Sequence, residues 1–196
     1  MSLPSLYFVR HGETAWSLGG RHTGRTDVPL TANGEMQARQ LSTSLSSIDF
    51  AEILTSPRRR ARQTCTFAGL GSSAKVEADL EEWNYGDYEG LTTAEIRTRN
   101  LDWNIFSDGC PSGEAISQIT DRSDRLIAQF TGRGGNIALF SHGQFGCALA
   151  ARWIGLDVAR GVHFALDTAS LSILGPKPAH PDMPVIRRWN SIPFER

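Results

Sequence analysis

Two histidines follow apolar segments typical of short buried strands, and an imidazole at such a position can do chemistry. His11 lies in Arg10-His11-Gly12, directly after Leu6 to Val9, and His142 lies in Ser141-His142-Gly143, directly after Asn136 to Phe140. Neutral imidazole is abundant near its pKa of about 6.5, which makes His11 a candidate nucleophile. In an isolated tripeptide, a histidine held by backbone carbonyls would look the same. The motif therefore indicates a site only together with partners.

A cluster of arginines lies between the two histidine motifs. Arg58, Arg59, Arg60 and Arg62 follow Ser56-Pro57 closely, at the start of a predicted helix with Pro57 in its first turn. Positive charge there opposes the helix dipole, but it would reinforce the anion site that free backbone N–H groups create. A helix turns about 100° per residue, so some of these side chains must face solvent. Two imidazoles and one arginine could together hold the oxygens of a transferring phosphoryl group.

Glu81 and Glu82 lie in an acidic and aromatic segment that runs from Leu80 to Gly90. A carboxyl group among aromatic side chains is suited to protonate a leaving alcohol. Position alone does not choose between the two glutamates, and a pair of solvated loop carboxylates is the alternative.

Other chemistries have weaker support. His11, Glu13, His22 and His142 show no HExxH or comparable spacing, and no P-loop or GxGxxG motif occurs. We therefore predict neither a metal nor a cofactor. Cys147 lies in an apolar helical stretch and is interpreted as a packed core residue.

The elements that must position these residues follow from apolar runs and helical periodicity. Strands are predicted at 6–9, 53–54, 76–80, 136–140, 170–174 and 185–189. Helices are predicted at roughly 32–48, 57–67, 93–100, 114–131 and 145–154, the first with Thr31 as N-cap and with Met36, Ala38, Leu41, Leu45 and Ile48 on one face.

This alternation predicts a three-layer α/β/α sandwich with a mostly parallel central sheet, as one domain over residues 1–196. Such sheets bind ligands at the carboxyl ends of their strands. Arg10-His11, Thr55-Ser56 and Ser141-His142 all lie at predicted strand ends.

Composition narrows the partners and the compartment. The chain has 196 residues, 40% of them hydrophobic, and a net charge of −1, so no overall field attracts nucleic acid or an anionic membrane. Three cysteines without a CxxC pair suit a reducing cytosol. The N-terminus shows no signal-peptide pattern, and no apolar run is as long as a membrane span. We therefore expect a cytoplasmic protein, with the oligomeric state left open and a homodimer as one alternative.

Four ordered motifs resemble the histidine phosphatase superfamily, also called the phosphoglycerate mutase-like family, over nearly the whole chain. Arg10-His11-Gly12-Glu13-Thr14 is similar to its opening signature, and Ser141-His142-Gly143 to its second histidine motif. Ser56-Pro57-x-x-Arg60-Ala61-x-Gln63-Thr64 resembles its helix-start motif, and Leu80-x-Glu82-x-x-x-Gly86-x-Tyr88-Glu89-Gly90 resembles its acid loop. The resemblance singles out Arg60 among the arginines and Glu82 over Glu81.

The resemblance implies a metal-independent reaction through a phosphohistidine. His11 would attack phosphorus, and Arg10, Arg60 and His142 would surround the phosphoryl oxygens. Glu82 would protonate the leaving oxygen and later help to activate water. Further contacts to substrate or phosphate would come from Ser17, Thr23, Gly24, Tyr85 and Gly143. Many relatives carry asparagine where this chain has the shorter Ser17.

A phosphatase is favoured over a mutase of the same family. Mutases resemble one another in a lysine soon after the acid loop and an arginine pair further on, which hold a second anionic group. The corresponding stretches here, Gly90 to Thr93 and Asp102 to Phe106, lack those cations. The segments His22 to Thr31, Glu82 to Gly90 and Trp103 to Cys110 look like the branch containing sedoheptulose-bisphosphatase and related acid phosphatases. That branch implies a small phosphorylated metabolite, such as a sugar phosphate, as substrate. A phosphoglycerate mutase and a catalytically idle phosphate-binding module are the alternatives.

Overall fold

The computed structural model describes residues 3–192, and a six-stranded sheet forms its centre. The strands are β1 (Ser5–Arg10), β2 (Phe50–Thr55), β3 (Lys75–Val76), β4 (Asn136–Ser141), β5 (Leu171–Lys177) and β6 (His180–Ser191). Their order in the sheet is β3-β2-β4-β1-β5-β6. The first four strands in this order run parallel, whereas β5 is antiparallel to β1 and β6 to β5. The predicted mostly parallel sheet is confirmed, with an antiparallel pair at one edge.

Helices cover both faces of this sheet. They are α1 (Ala15–Leu18), α2 (Ala32–Leu45), α3 (Arg59–Phe67), α4 (Thr93–Arg97), α5 (Ile105–Asp108), α6 (Ile116–Phe130) and α7 (Gly143–Trp153). Side chains alternate along each strand, so Val9 packs with Leu41 of α2 on one face, while Phe8 packs with Leu149 of α7 on the other. The three-layer α/β/α arrangement is therefore confirmed. Within residues 3–192, no helix is long and apolar enough to cross a membrane.

Helix α2 buries a narrower face than predicted. Thr31 accepts a hydrogen bond from the Gly34 N–H, which confirms it as the N-cap. Met36, however, is 54% exposed. It precedes the buried Ala38 by two residues, or about 200° of rotation, and therefore points to the opposite side of the helix. Ile48 lies beyond the end of the helix but still packs against the core.

Helix α3 begins two residues later than predicted, and its N-terminus already has an anion. Arg58 is the N-cap in an extended conformation, so Pro57 lies outside the helix. The Asp27 carboxylate accepts a hydrogen bond from the Arg59 N–H at 2.6 Å. The anion-binding capacity predicted for this helix start is thus used at least in part by a carboxylate of the chain itself. The predicted strand at 76–80 shortens to β3, because a 3₁₀ turn at Ala78–Leu80 follows.

Candidate active site

Three strand ends meet at one edge of the sheet. The register pairs Arg10 of β1 with Ser141 of β4, and Thr55 of β2 with Phe140 of β4. The residue after each strand, namely His11, Ser56 and His142, therefore lies beside the other two. The ring centroids of His11 and His142 are 5.2 Å apart, with 62° between the ring planes. The topology brings together the two imidazoles that the sequence places far apart.

A backbone hydrogen bond sets the tautomer of His11, which is only 5% exposed. Its Nδ1 lies 2.8 Å from the carbonyl oxygen of Gly12. A carbonyl can only accept, so Nδ1 of the neutral ring carries the proton and Nε2 keeps its lone pair. Burial, together with the charges of Arg60 and Arg10, lowers the pKa of His11 well below its usual value, against an opposing effect of the Gly12 bond. The result is the neutral ring that a nucleophile requires.

The loop after β1 lies tightly against its neighbours. The Gly12 N–H donates to Thr64 Oγ1 at 3.0 Å. A Cβ on Gly12 would lie 2.5 Å from the Gly34 carbonyl oxygen, and a Cβ on Gly34 would lie 2.1 Å from the Glu13 carbonyl oxygen. No side chain fits at either position, so the two glycines allow the loop to hold His11 against the start of α2.

His142 and Arg60 form a fully buried pair. The Nε–H of Arg60 donates to His142 Nδ1 at 3.1 Å, so the neutral ring of His142 carries its proton on Nε2, 2.8 Å from Ser56 Oγ. Burial, followed by the charge of Arg60, lowers the pKa of His142 well below its usual value. The other guanidinium nitrogens of Arg60 donate to the backbone carbonyls of Thr23 at 2.8 Å, Gly24 at 3.1 Å and Thr26 at 3.1 Å.

Arg10 presents a buried donor that has no acceptor among the described residues. One terminal nitrogen donates to the Leu166 carbonyl, but Nε is buried without a partner. The guanidinium lies over Gly143, where a Cβ would be 3.3 Å from Arg10 Cζ and Nε. Buried polar groups are nearly always paired, so an orphaned cationic donor beside His11 points to an anionic ligand.

The structure distinguishes the two adjacent glutamates. Glu82 is 8% exposed, and its carboxylate accepts from the backbone N–H groups of Phe145 at 2.8 Å, Trp83 at 2.9 Å and Gln144 at 3.1 Å. Two of these donors belong to the first turn of α7, where a negative charge is stabilised. Glu81 instead forms an ion pair with Arg58 at 2.8 Å. Only Glu82 lines the cavity that contains His11.

That cavity measures about 300 Å³. Seven of the predicted site residues line it: Arg10, His11, Ser17, Thr23, Glu82, Tyr85 and Gly143. The other three, Arg60, His142 and Gly24, are not among its lining residues. The Gly24 N–H donates to the Glu89 carboxylate at 2.9 Å, so this N–H is not free for a phosphate. Within residues 3–192, no three His, Cys, Asp or Glu side chains are grouped so that they could hold a metal ion.

Two of the lining residues, Ser17 and Tyr85, also take part in local structure away from the cavity surface. Ser17 caps α1: its Oγ accepts from the Thr14 N–H at 2.8 Å and its own N–H donates to Thr14 Oγ1 at 3.0 Å. Tyr85 is 2% exposed, and burial together with the Glu82 charge raises the pKa of its hydroxyl well above the usual value. The phenol is therefore neutral at neutral pH.

The cavity also has walls that the motifs did not predict. They include His22, Thr93, Gln144, Cys147, Phe164 and Leu166. Cys147 is 4% exposed and thus packed, as predicted, although it also borders the cavity. Burial raises the pKa of its thiol to about 12. In the sequence, His22 was considered as a metal ligand and as the first residue of a segment that resembles the phosphatase branch, but not as part of a cavity wall. Phe164 and Leu166 follow a 3₁₀ turn at Val158–His163, where no periodic pattern could reveal their direction.

Comparison with known proteins identifies the family to which this chain is similar. A family model described as the histidine phosphatase superfamily, branch 1, matches residues 6–192. The acid phosphatase of Mycobacterium tuberculosis (strain ATCC 25618 / H37Rv) is 43% identical over 176 residues, covering 87% of this chain and 85% of that protein. The sedoheptulose 1,7-bisphosphatase of Saccharomyces cerevisiae (strain ATCC 204508 / S288c) is 40% identical over 189 residues, covering 80% and 70%. A solved structure of an open reading frame product of Mycobacterium tuberculosis superposes with a TM-score of 0.91 at 38% identity, covering 97% of this chain and 99% of that one. The chain therefore belongs to the histidine phosphatase superfamily.

Proposed function

We propose that the chain hydrolyses small phosphomonoesters, sugar phosphates among them, through a phosphohistidine on His11. The observation that carries this proposal is the neutral, buried ring of His11, with Nδ1 bonded to Gly12 and Nε2 unprotonated. Next to it lies Arg10, with its unpaired buried Nε. A nucleophilic nitrogen beside an unpaired cation is what transfer of an anionic phosphoryl group requires.

In the first step, Nε2 of His11 attacks phosphorus and the bond from phosphorus to the ester oxygen breaks. Glu82 in its protonated form gives its proton to the departing oxygen, so that an alcohol leaves rather than an alkoxide. The Nδ1–H to Gly12 bond holds the ring orientation while positive charge develops on the imidazole. Arg10 would neutralise the phosphoryl oxygens.

In the second step, water attacks phosphorus and the bond from phosphorus to Nε2 breaks. The Glu82 carboxylate accepts a proton from that water, which restores the acid for the next cycle. Inorganic phosphate leaves, and His11 returns to its neutral form. Every proton in this sequence moves through Glu82, so no metal-bound water is needed.

Arg60 and His142 enter the proposal as charge and hydrogen-bond support for the phosphoryl group. The His142 Nε2–H now donates to Ser56 Oγ at 2.8 Å, and it is the donor for which a phosphoryl oxygen would compete. Arg60 fixes the opposite nitrogen of that ring and three carbonyls of the segment 23–26. Even without direct contact, its charge favours an anion beside His11.

Hydrolysis is favoured over transfer within a phosphoglycerate, because the described cavity lining offers little for a second anionic group. Its cations are Arg10 and Arg21. Arg21 donates to the Gly90 carbonyl at 2.7 Å and lies 3.6 Å from the Glu95 carboxylate. Its charge is thus partly neutralised, which weakens a second anion site.

We also propose that the chain acts in the cytoplasm. The three cysteines, Cys65, Cys110 and Cys147, are all unpaired, and free thiols suit a reducing compartment. The partner in this proposal is a small phosphorylated metabolite, not a nucleic acid or a membrane, in keeping with a net charge of −1.

A panel of phosphomonoesters, assayed with and without a chelator, tests the function. We expect chelator-resistant release of phosphate that is lost in His11→Ala and retained in His163→Ala, a matched change of an exposed histidine. Mass spectrometry of rapidly quenched enzyme should locate the phosphate on His11.

The same assay separates the alternatives. Metal-dependent activity that survives His11→Ala would refute the mechanism. Efficient isomerisation of phosphoglycerate, stimulated by the bisphosphate, would support the mutase instead. Failure to turn over any phosphomonoester would favour the phosphate-binding module.

A further inference from the structure

A second cavity adjoins the candidate active site. It measures about 230 Å³ and shares His22, Thr93, Gln144 and Phe164 with the first cavity. The rest of its wall combines two polar residues with four apolar ones: Arg97, Asn104, Trp103, Ile105, Phe106 and Val162. Because four residues border both spaces, a single layer of side chains separates them.

Several contacts anchor His22 within this layer. Its ring lies against Tyr85, with centroids 4.7 Å apart and 33° between the planes, and edge-on to Trp103 at 5.2 Å. Its Nε2 is 3.1 Å from Thr93 Oγ1. Its backbone N–H donates to the Leu91 carbonyl at 2.8 Å, and its carbonyl accepts from the Gly90 N–H at 2.9 Å. Contacts on two sides of the ring and at both backbone groups hold this wall in place.

The wall is also uncharged at neutral pH. Burial lowers the pKa of His22 to about 4, although the charge of Glu89 acts in the opposite direction. The ring is therefore a neutral part of the wall of the cavity that Glu82 also lines. Phe164 and Leu166 add apolar surface to the first cavity.

We propose that His22 is a specificity-determining residue that confines the leaving group to the first cavity. The inference rests on the proposed function, since it assigns the space beside Glu82 to the departing alcohol. A cavity of about 300 Å³ is at the lower end of ligand sites. The substrates it takes are phosphomonoesters of compact alcohols, and longer leaving groups are excluded because His22 blocks the second cavity.

Two aryl esters with leaving groups of similar acidity but different length test this proposal: phenyl phosphate and 2-naphthyl phosphate. The measured quantity is the ratio of kcat/KM for the naphthyl ester to that for the phenyl ester. His22→Ala joins the two cavities and should raise this ratio about tenfold or more. His22→Phe refills the position with a ring and should keep the ratio of the unmodified protein.

A change at Val162 gives a second test, and made alone it does not require His22→Ala to fold. This residue lines only the second cavity and is 44% exposed, so a larger side chain is tolerated there. Val162→Trp should leave the ratio unchanged in the unmodified protein, because no leaving group enters the second cavity. Added to His22→Ala, it should return the ratio toward the original value.

Each outcome bears on the proposal. An unchanged ratio in folded His22→Ala, a rise in His22→Phe as large as in His22→Ala, or a fall in the ratio caused by Val162→Trp alone would overturn the role of His22. In those cases the unmodified protein still hydrolyses phenyl phosphate and the proposed function stands. If the unmodified protein hydrolyses neither aryl ester, the role of His22 fails; if it also turns over no other phosphomonoester, the proposed function fails with it.

Discussion

Replacing His22 by phenylalanine should make the stability of the fold less sensitive to acid. In the folded chain burial lowers the pKa of His22 to about 4, whereas in the unfolded chain it is about 6.5. Between these values the unfolded state binds a proton that the folded state does not. The contribution of His22 to the free energy of unfolding is therefore intact above about pH 6.5 and is lost as the pH falls toward 4.

The magnitude follows from the two pKa values. Integration of the proton linkage between pH 7 and pH 5 gives a loss of roughly 2 kcal/mol in the free energy of unfolding from this one side chain. Phenylalanine keeps a ring against Tyr85 and Trp103 but loses the contact to Thr93, which costs about 1 kcal/mol at either pH. That cost cancels when the two pH values are compared within one protein.

Urea unfolding followed by the fluorescence of the five tryptophans measures both free energies. The pKa values of His11 and His142 are lowered too, but both residues are present in the unmodified protein and in His22→Phe. The fall in the free energy of unfolding between pH 7 and pH 5, compared between these two proteins, therefore isolates the contribution of His22. Thr93→Val removes the hydrogen bond but keeps the titrating ring, so its free energy of unfolding should fall between pH 7 and pH 5 as much as that of the unmodified protein. Equal losses in the unmodified protein and in His22→Phe would refute the reasoning.

Three further changes test the site and its support. Glu82→Gln should lower kcat/KM, which reports the steps up to departure of the alcohol, about 100-fold for an alkyl phosphate but much less for p-nitrophenyl phosphate, whose leaving group needs no proton; equal losses of kcat/KM on both esters would contradict the acid role. Ser56→Ala leaves the buried His142 Nε2–H without its acceptor at 2.8 Å. It should cost about 1–3 kcal/mol, measured by urea unfolding, and an unchanged midpoint would count against the bond. Gly34→Ala places a Cβ 2.1 Å from the Glu13 carbonyl oxygen and should lower the free energy of unfolding by more than about 1 kcal/mol in the same measurement. Gly132→Ala is the control for backbone strain without a clash, because its Cβ has open space around it but its backbone is left-handed at φ +85°.

The strand ends were predictable because each rests on a local pattern and a general rule. Apolar runs that stop at Arg10-His11 and Ser141-His142 predict buried strands, and parallel strands place their carboxyl ends at one edge. The pairing of Arg10 with Ser141 in the sheet confirms that geometry. The resemblance to a family then separated Glu82 from Glu81, which composition could not do.

The partners of Arg60 were beyond prediction, because they depend on loop conformation. Its guanidinium donates to carbonyls of the segment 23–26, which has no periodic pattern. The same holds for the cavity wall formed by His22 and Phe164, where packing between distant loops decides the direction of each side chain. Asp27 at the start of α3 is a third example: an anion was predicted there, but the chain supplies its own.

If Glu82 has the proposed acid role, the three backbone hydrogen bonds that it accepts join activity to folding in one side chain. Two of them come from Gln144 and Phe145, whose N–H groups at the start of α7 have no partner within their helix. A descendant of this chain that lost hydrolysis would still need an acceptor at position 82 to keep α7 in place. Selection for the fold alone would therefore preserve this residue. A glutamate here is consequently a poor indicator of activity among relatives, and Arg10, whose Nε has no acceptor among the described residues, is the more informative position to follow.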